Sequence, residues 1–402
     1  MKKEITLIKN NFLMDKSVMT EDYYKSFTGG TEVMDFHKTF KEYSKTPMYS
    51  LKNYAKKTGV GNVYVKDESK RFSLNAFKVL GASYAIGKLL AKKLNKDISD
   101  ITFDYLASDE AKKEIGDLVL SAATDGNHGR GVAWTANRLS LKSVIYMPKG
   151  STENRLNNIK ELGAEALITD VYYDDTVRII SELSKKNGWE IVQDTAWKGY
   201  EDVPKWIMQG YSTIGNEVVE DLGEEVPTHI FLQAGVGAFA GVMICYFTYK
   251  YKNNPPKFIL VEPENAACFY ESAIENKITN LTGELETIMA GLACGEPNPM
   301  AYDIISKYCD VFLSVSDEVT EKGMRILGRP LSGDEKIVSG ESGAVGMGAL
   351  DLILNDTKYK ELKEELDINE KSKVLIISTE GNTDPEVYDR IVNSEGRCQH
   401  ER

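Results

Sequence analysis

The sequence predicts an α/β protein of two domains, each a mainly parallel sheet flanked by helices, with a ligand cleft between them. Three observations carry that expectation. Short apolar runs alternate with helical patterns from NVYVKDES (62–69) to KVLIISTEGNTD (373–384), which is the βαβ signature of a parallel sheet. Glycines gather just after several of these runs, at 126–131 and 235–241, where open α/β sheets bind ligands. Two series of strands, before and after about residue 205, are joined without a Pro/Ser-rich linker. Residues 1–78 with 200–402 are expected to form a large domain, and 79–199 a small one.

Composition removes several classes. The 402 residues, 42% hydrophobic and 27% charged, suffice for two or three folding units. A net charge of −12 argues against nucleic acid or an anionic membrane as partner. No apolar run approaches the roughly 18 residues of a membrane span. The N-terminal MKKEITLIKNNF lacks the apolar centre of a signal peptide, so a cytoplasmic protein is expected. Cys245, Cys268, Cys294, Cys309 and Cys398 show no CxxC spacing, which suggests neither a disulfide framework nor a zinc site. Four histidines and no HExxH give no reason to expect a metal.

Residues 1–45 are polar and aromatic-rich, and short helices wrapping the surface or a partner subunit are expected there. TPMYSL (46–51) reads as a turn at Pro47. A strand near 62–66 is followed by SLNAFKVLG (73–81), which leads into a helix over 79–94. Lys78 stands at this junction between Phe77 and Val79. Burial disfavours an ammonium ion, and a neutral amine attacks aldehydes, so Lys78 is a Schiff-base candidate. The plainer alternative is a lysine snorkelling from a helix start.

Residues 96–117 are charged and helical, and DLVLSAAT (117–124) is a buried strand. DGNHGRGVAWTANRL then opens a helix through a Gly-rich turn. Thr124, Asp125, Gly126, Asn127 and His128 in that turn are candidates for binding a substrate carboxylate, and Asn127 is placed to donate to a phenolate oxygen. SVIYMPKG is a strand, TENRLNNIKELG a helix stopped at Gly163, EALITD a strand, and DDTVRIISELSKKNG a helix stopped at Gly188. WEIVQDTAW (189–197) begins as a strand and carries Asp194 at its end.

The pattern resumes with a helix over 207–223 and the strand THIFLQAG (228–235). AGVGAFAG (234–241) reads as a phosphate cradle, because glycines let backbone amides approach an anion and the helix start adds partial positive charge. It lacks the Lys-Ser/Thr of a Walker loop, and as a dinucleotide turn it is one residue too long. A tight βα turn is the structural alternative. The nearest acid for a nicotinamide ribose is Glu262. KFILVEPE (257–264), DVFLSVSDE (310–318) and KVLIISTE are strands, 281–300 is a loop, and GESGAVGMGALDLIL (340–354) becomes a helix. Ser378 or Thr379 stands at the last strand's end, where a hydroxyl can hydrogen-bond a heterocyclic nitrogen without protonating it.

A buried lysine, an Asn-bearing turn, a Gly-rich phosphate turn and a late Ser/Thr, in this order, resemble the fold-type II family of pyridoxal-phosphate enzymes. That family includes serine and threonine dehydratases and tryptophan synthase β. The resemblance implies that Lys78 holds the cofactor and that Asn127 contacts its O3′. It implies that Gly235, Val236, Gly237, Ala238 and Phe239 cradle the phosphate, and that Ser378, or its neighbour Thr379, faces the pyridine nitrogen. Ten ordered blocks are similar, more closely, to the diaminopropionate ammonia-lyases. Among them are KDESKRFSLNAFK (66–78), TDGNHGRGVAW (124–134), YDDTVR (173–178), QAGVGA (233–238) and IMAGLACGEPNP (288–299), and the likeness spans about residues 45–390. It implies α,β-elimination of ammonia from D- and L-2,3-diaminopropionate by a homodimer. The first 40 residues match no motif.

Asp125 departs from ordinary dehydratases, which carry a small hydroxyl residue at that place. Two anions a few ångströms apart repel by about 1 kcal/mol even in water, so a carboxylate beside the substrate's own needs a role. Pairing with the β-ammonium is one; taking the α-proton from the face opposite Lys78 is another; capping the helix is the structural alternative. By the same resemblance Asp194 lies near the active site and assists the other enantiomer or binds an amine, against a plain turn-capping role. Asp67, Glu68 and Glu341 are expected to be structural, and His128 to pack beside the cofactor. A dehydratase of the same fold and a non-catalytic binder of pyridoxal phosphate are the competing readings.

Overall fold

The computed structural model describes residues 4–124 and 126–393. Asp125 and Cys398 therefore lie outside the described residues. Strands β1 (Ile5–Lys9), β2 (Met48–Ser50), β3 (Asn62–Asp67), β4 (Val119–Ala123), β5 (Lys142–Met147), β6 (Glu165–Ile168), β7 (Glu190–Ile191), β8 (His229–Gln233), β9 (Lys257–Pro263), β10 (Val311–Val315) and β11 (Lys373–Ser378) form two sheets. One has seven strands in the order β1-β10-β9-β8-β11-β3-β2, and the other four in the order β6-β5-β4-β7. The four-stranded sheet is parallel throughout. In the larger sheet only the edge strands β1 and β2 run antiparallel to their neighbours.

The long apolar runs follow from burial on both faces, as in other parallel sheets. Ile230 and Leu232 of β8 enter one core, together with the helix Ala238–Lys250. Phe231 between them enters a second core with the helix Glu341–Asn355. The first core continues without a break into the small sheet through Leu120, Ala122 and Ile145.

Two expectations are corrected and a third is refined. Residues 5–9, expected among short helices, form β1, whose partner β10 lies some 300 residues away and is invisible to local periodicity. The expected turn at 46–51 contains β2, three residues paired with β3. The charged stretch 96–117 is helical as expected, but divided into Ile98–Asp100, Phe103–Leu106 and Asp109–Ile115. Asp97, Thr102 and Ser108 each accept a hydrogen bond from a following backbone amide, and such caps end one segment and begin the next.

Two features fix the helix that follows Lys78. Val79–Lys93 crosses Asp202–Leu222 through glycines, since a Cβ on Gly210 would lie 2.4 Å from the Leu80 carbonyl oxygen. Just upstream, Arg71 is fully buried between Glu68, at 2.9 Å, and Glu217, at 2.7 Å. Lys66 joins them at 2.9 Å from Glu217. Glu68 is thus structural, as its sequence context suggested.

Candidate active site

Lys78 is the residue just before the helix Val79–Lys93. Its loop is laced to the end of β11: Phe77 donates its amide to the Thr379 carbonyl at 3.1 Å, and Gly381 donates to the Asn75 carbonyl at 2.9 Å. Phe77 also packs on Phe239 and Tyr211, with ring centroids 4.8 and 4.7 Å away. The lysine is therefore positioned by the large sheet while its amine reaches toward the small one.

There Lys78 Nζ donates to Asp194 Oδ2 at 2.9 Å. The expected apolar surroundings are thus joined by an ion pair. Asp194 is almost fully buried. Tyr173 donates to its Oδ1 at 3.0 Å, Gln193 donates to the Tyr173 hydroxyl at 2.8 Å, and Asn298 donates to the Asp194 carbonyl at 2.9 Å. Burial alone would push the Asp194 carboxyl up, but the Lys78 ammonium, the nearby His128 and the hydrogen bonds from Lys78 and Tyr173 hold it well below the usual carboxylate range.

The turn at 124–128 divides its labour. Thr124 Oγ1 accepts from the Gly126 and Gly129 amides, both at 2.9 Å, and so stabilises the turn itself. Gly126 has φ +150°, outside the range open to a side chain. His128 is buried and bonds the Val192 carbonyl at 2.7 Å. Asn127 faces the cleft and donates to Glu380 Oε2 at 2.5 Å.

Across the cleft, β8 ends at Gln233 and the helix Ala238–Lys250 begins five residues later. The first-turn amides of a helix have no intrahelical acceptor and attract anions. Gly237 has φ +86°, and a Cβ there would lie 2.2 Å from the Phe269 ring. The loop ahead of that ring is held by Glu262, which accepts from the Phe269 and Tyr270 amides at 2.8 Å each. Burial raises the Glu262 carboxyl to about 8. Committed in this way inside the core, Glu262 is not a ribose ligand, and the dinucleotide alternative falls.

One cleft is lined by Lys78, Asn127, Asp194, Gly235, Val236, Gly237, Ala238, Phe239 and Thr379. These predicted residues, far apart in sequence, do converge. Ser378 does not line it; its hydroxyl donates to Ser339 Oγ at 2.7 Å. Tyr173, Gln233, Ser342 and Glu380 also line the cleft and were not singled out from sequence. Tyr173, Gln233 and Glu380 lie inside blocks that carried the family resemblance, but local spacing does not reveal which side chain turns inward. Gln233 Oε1 and Ser342 Oγ are buried there without hydrogen-bond partners. Orphaned polar atoms, an amide-lined turn and a lysine facing one space fit a phosphorylated aldehyde with polar ring substituents. Among the described residues no cluster of three or more His, Cys, Asp or Glu could hold a metal, and no helix is long and apolar enough to cross a membrane.

The family model "Pyridoxal-phosphate dependent enzyme" matches residues 39–380. The chain belongs to that family. Its pyridoxal-phosphate fold is shared at close range. Diaminopropionate ammonia-lyase of Salmonella typhimurium is 49% identical over 369 residues, 90% of this chain and 91% of that protein. The Escherichia coli diaminopropionate ammonia-lyase in complex with D-serine has a TM-score of 0.90 and 43% identity, covering 96% of each chain. The same E. coli enzyme, in complex with an aminoacrylate-PLP azomethine reaction intermediate, has a TM-score of 0.88 at 43% identity, again over 96% of each chain. The protein is a fold-type II lyase with pyridoxal phosphate as its cofactor.

Proposed function

We propose that the protein eliminates ammonia from D- and L-2,3-diaminopropionate, the final products being pyruvate and two ammonia. The observation that carries this reading is the pair of acids lining the cleft: the ionised Asp194 meets Lys78 at 2.9 Å, and Glu380 meets Asn127. A substrate with a second amine gains from such a lining, since carboxylates attract its ammonium. A hydroxyl leaving group would gain nothing comparable. The relatives bearing the name diaminopropionate ammonia-lyase support the same choice over a serine or threonine dehydratase.

When bound, pyridoxal phosphate supplies the electron sink that accepts the electron pair left by α-proton removal. Lys78 Nζ would hold the aldehyde, and its amine would serve as base and acid at Cα on its own side. Asp194 orients that amine and holds a charge against which its proton can move. The amides of Gly235, Val236, Gly237, Ala238 and Phe239 bind the phosphate. Asn127 has a second amide proton for the ring oxygen, while the first is spent on Glu380. The turn 124–128 takes the substrate carboxylate, and Asp125 serves the opposite face of Cα; for Asp125 this rests on sequence alone. The assignment of 1–78 and 200–402 to a large domain and 79–199 to a small one is consistent with the strand membership of the two sheets. A homodimer in the cytoplasm is the expectation carried by the family resemblance and by composition.

Pyruvate release from D- and L-diaminopropionate, serine and threonine tests the assignment. Turnover of both diaminopropionate enantiomers above the hydroxy amino acids is expected, and a preference for serine or threonine would overturn it. Lys78→Ala is expected to abolish elimination and to leave no borohydride-reducible cofactor link; a reducible link in the variant would place the attachment elsewhere.

A further inference from the structure

Gln233 is the last residue of β8, immediately before the phosphate turn. It is 3% exposed and lines the cleft. Its Nε2 lies 3.0 Å from the Ile377 carbonyl oxygen and 2.8 Å from Thr379 Oγ1. A main-chain carbonyl only accepts, so the side-chain atom facing it is the amide nitrogen and not the oxygen. That nitrogen carries a second proton, and its other neighbour is Thr379. The threonine hydroxyl must therefore accept in this bond. A hydroxyl has a single proton, which is left for another acceptor, and Thr379 is 4% exposed and faces the cleft.

Two further observations point the same way. The Thr379 backbone is fixed, because its carbonyl holds the Phe77 amide beside Lys78. And the amide orientation leaves Gln233 Oε1 buried without a partner. Proteins rarely leave a buried acceptor unpaired, so this orientation serves something besides stability. Ser378, whose proton goes to Ser339, has no comparable donor to offer the cleft.

We propose that Gln233 is a positioning residue that fixes the Thr379 hydroxyl as a hydrogen-bond donor into the cleft, aimed at the ring nitrogen of pyridoxal phosphate. The inference rests on the reading of this cleft as the cofactor site and deepens it. With Nε2 held by Ile377, Thr379 cannot turn its proton back onto Gln233, so the ring nitrogen is received as an unprotonated acceptor. Without Gln233 the hydroxyl is free to rotate and to become an acceptor itself.

The test compares binding of pyridoxal phosphate with binding of its 1-deaza analogue, in which carbon replaces the ring nitrogen. Parent, Gln233→Met, Thr379→Val, Thr379→Ser and the Gln233→Met/Thr379→Val double variant are titrated by absorbance and fluorescence. A parent that forms no visible band with pyridoxal phosphate would sink the cofactor-site reading itself. Given that band, Gln233→Met is expected to weaken pyridoxal phosphate by about tenfold, the worth of one hydrogen bond, while leaving the deaza analogue unchanged. Thr379→Ser should keep parental affinity, and the double variant should lose no more than Thr379→Val alone. Damage to the fold would weaken both ligands alike, so the ratio between them isolates the role. An unchanged ratio in Gln233→Met, or losses that multiply in the double variant, would overturn the proposal.

Discussion

Asp194 concentrates the chemistry of single residues. It is ionised across any pH near neutrality, for the reasons given above, and its Oδ2 is the observed partner of the Lys78 amine. Asp194→Asn keeps the shape but removes the charge. It is expected to lower kcat by about 10²–10⁴-fold, the range for loss of an acid–base group, with the cofactor band retained, because the phosphate turn does not depend on Asp194. Loss of the band in the variant would instead make Asp194 a residue of the fold. Lys78, Asn127 and the 235–239 turn were picked out by the order of their motifs along the chain, since each stretch alone also admitted a plainer structural reading. Gln233, Tyr173 and Glu380 were not, because their roles depend on which neighbouring strand or helix they meet. The choice between Ser378 and Thr379 was undecidable for the same reason, since adjacent strand residues point to opposite faces, and only the surrounding layers say which face is the cleft.

At the scale of elements, the turn proposed to cradle the phosphate is tightly constrained backbone. Gly237 combines φ +86° with a Phe269 ring where a Cβ would go. Gly237→Asp therefore adds backbone strain, a clash and a negative charge against a phosphate dianion. We expect cofactor affinity to fall by about 100-fold, chiefly through the negative charge set against the phosphate, with positive-φ strain on the order of 1–3 kcal/mol adding to it. Parental affinity in a titration with pyridoxal phosphate would place the phosphate elsewhere. Most elements were read correctly because their strands are continuous apolar runs and their helices end at glycines such as Gly188, which is left-handed. The elements missed were short, and their stability comes from distant partners: β1 from β10, β2 from β3.

For the molecule as a whole, the acids buried around the cleft make stability depend on pH. Burial, then the neighbouring Glu380, raises the Glu341 carboxyl to about 7. In the unfolded chain a glutamate titrates near 4.3. Between those values the folded protein holds a proton that the unfolded chain has released, so stability falls as pH rises through the window. Below it both states are protonated, and above it the penalty is constant. Glu341→Gln should therefore be more stable than the parent at pH 8, by on the order of 3–4 kcal/mol, with a much smaller difference at pH 4.5. Urea denaturation at the two pH values checks this, and an equal difference at both would reject it.

The strand order also dictates when the site can exist during synthesis. The small sheet draws on residues 119–191 alone, and it can close while the ribosome is still at work. The large sheet cannot: β3, at residues 62–67, must wait for β11, at 373–378. The loop bearing Lys78 is laced to Thr379 and Gly381, so the amine proposed to hold the cofactor reaches its place only when almost the whole chain has emerged. Long-range pairing of this kind is slow, and incomplete sheets expose unpaired edges to other chains. What the topology gives in return is order: the walls of the pocket, Lys78 on one side and Thr379 on the other, come together in a single late event.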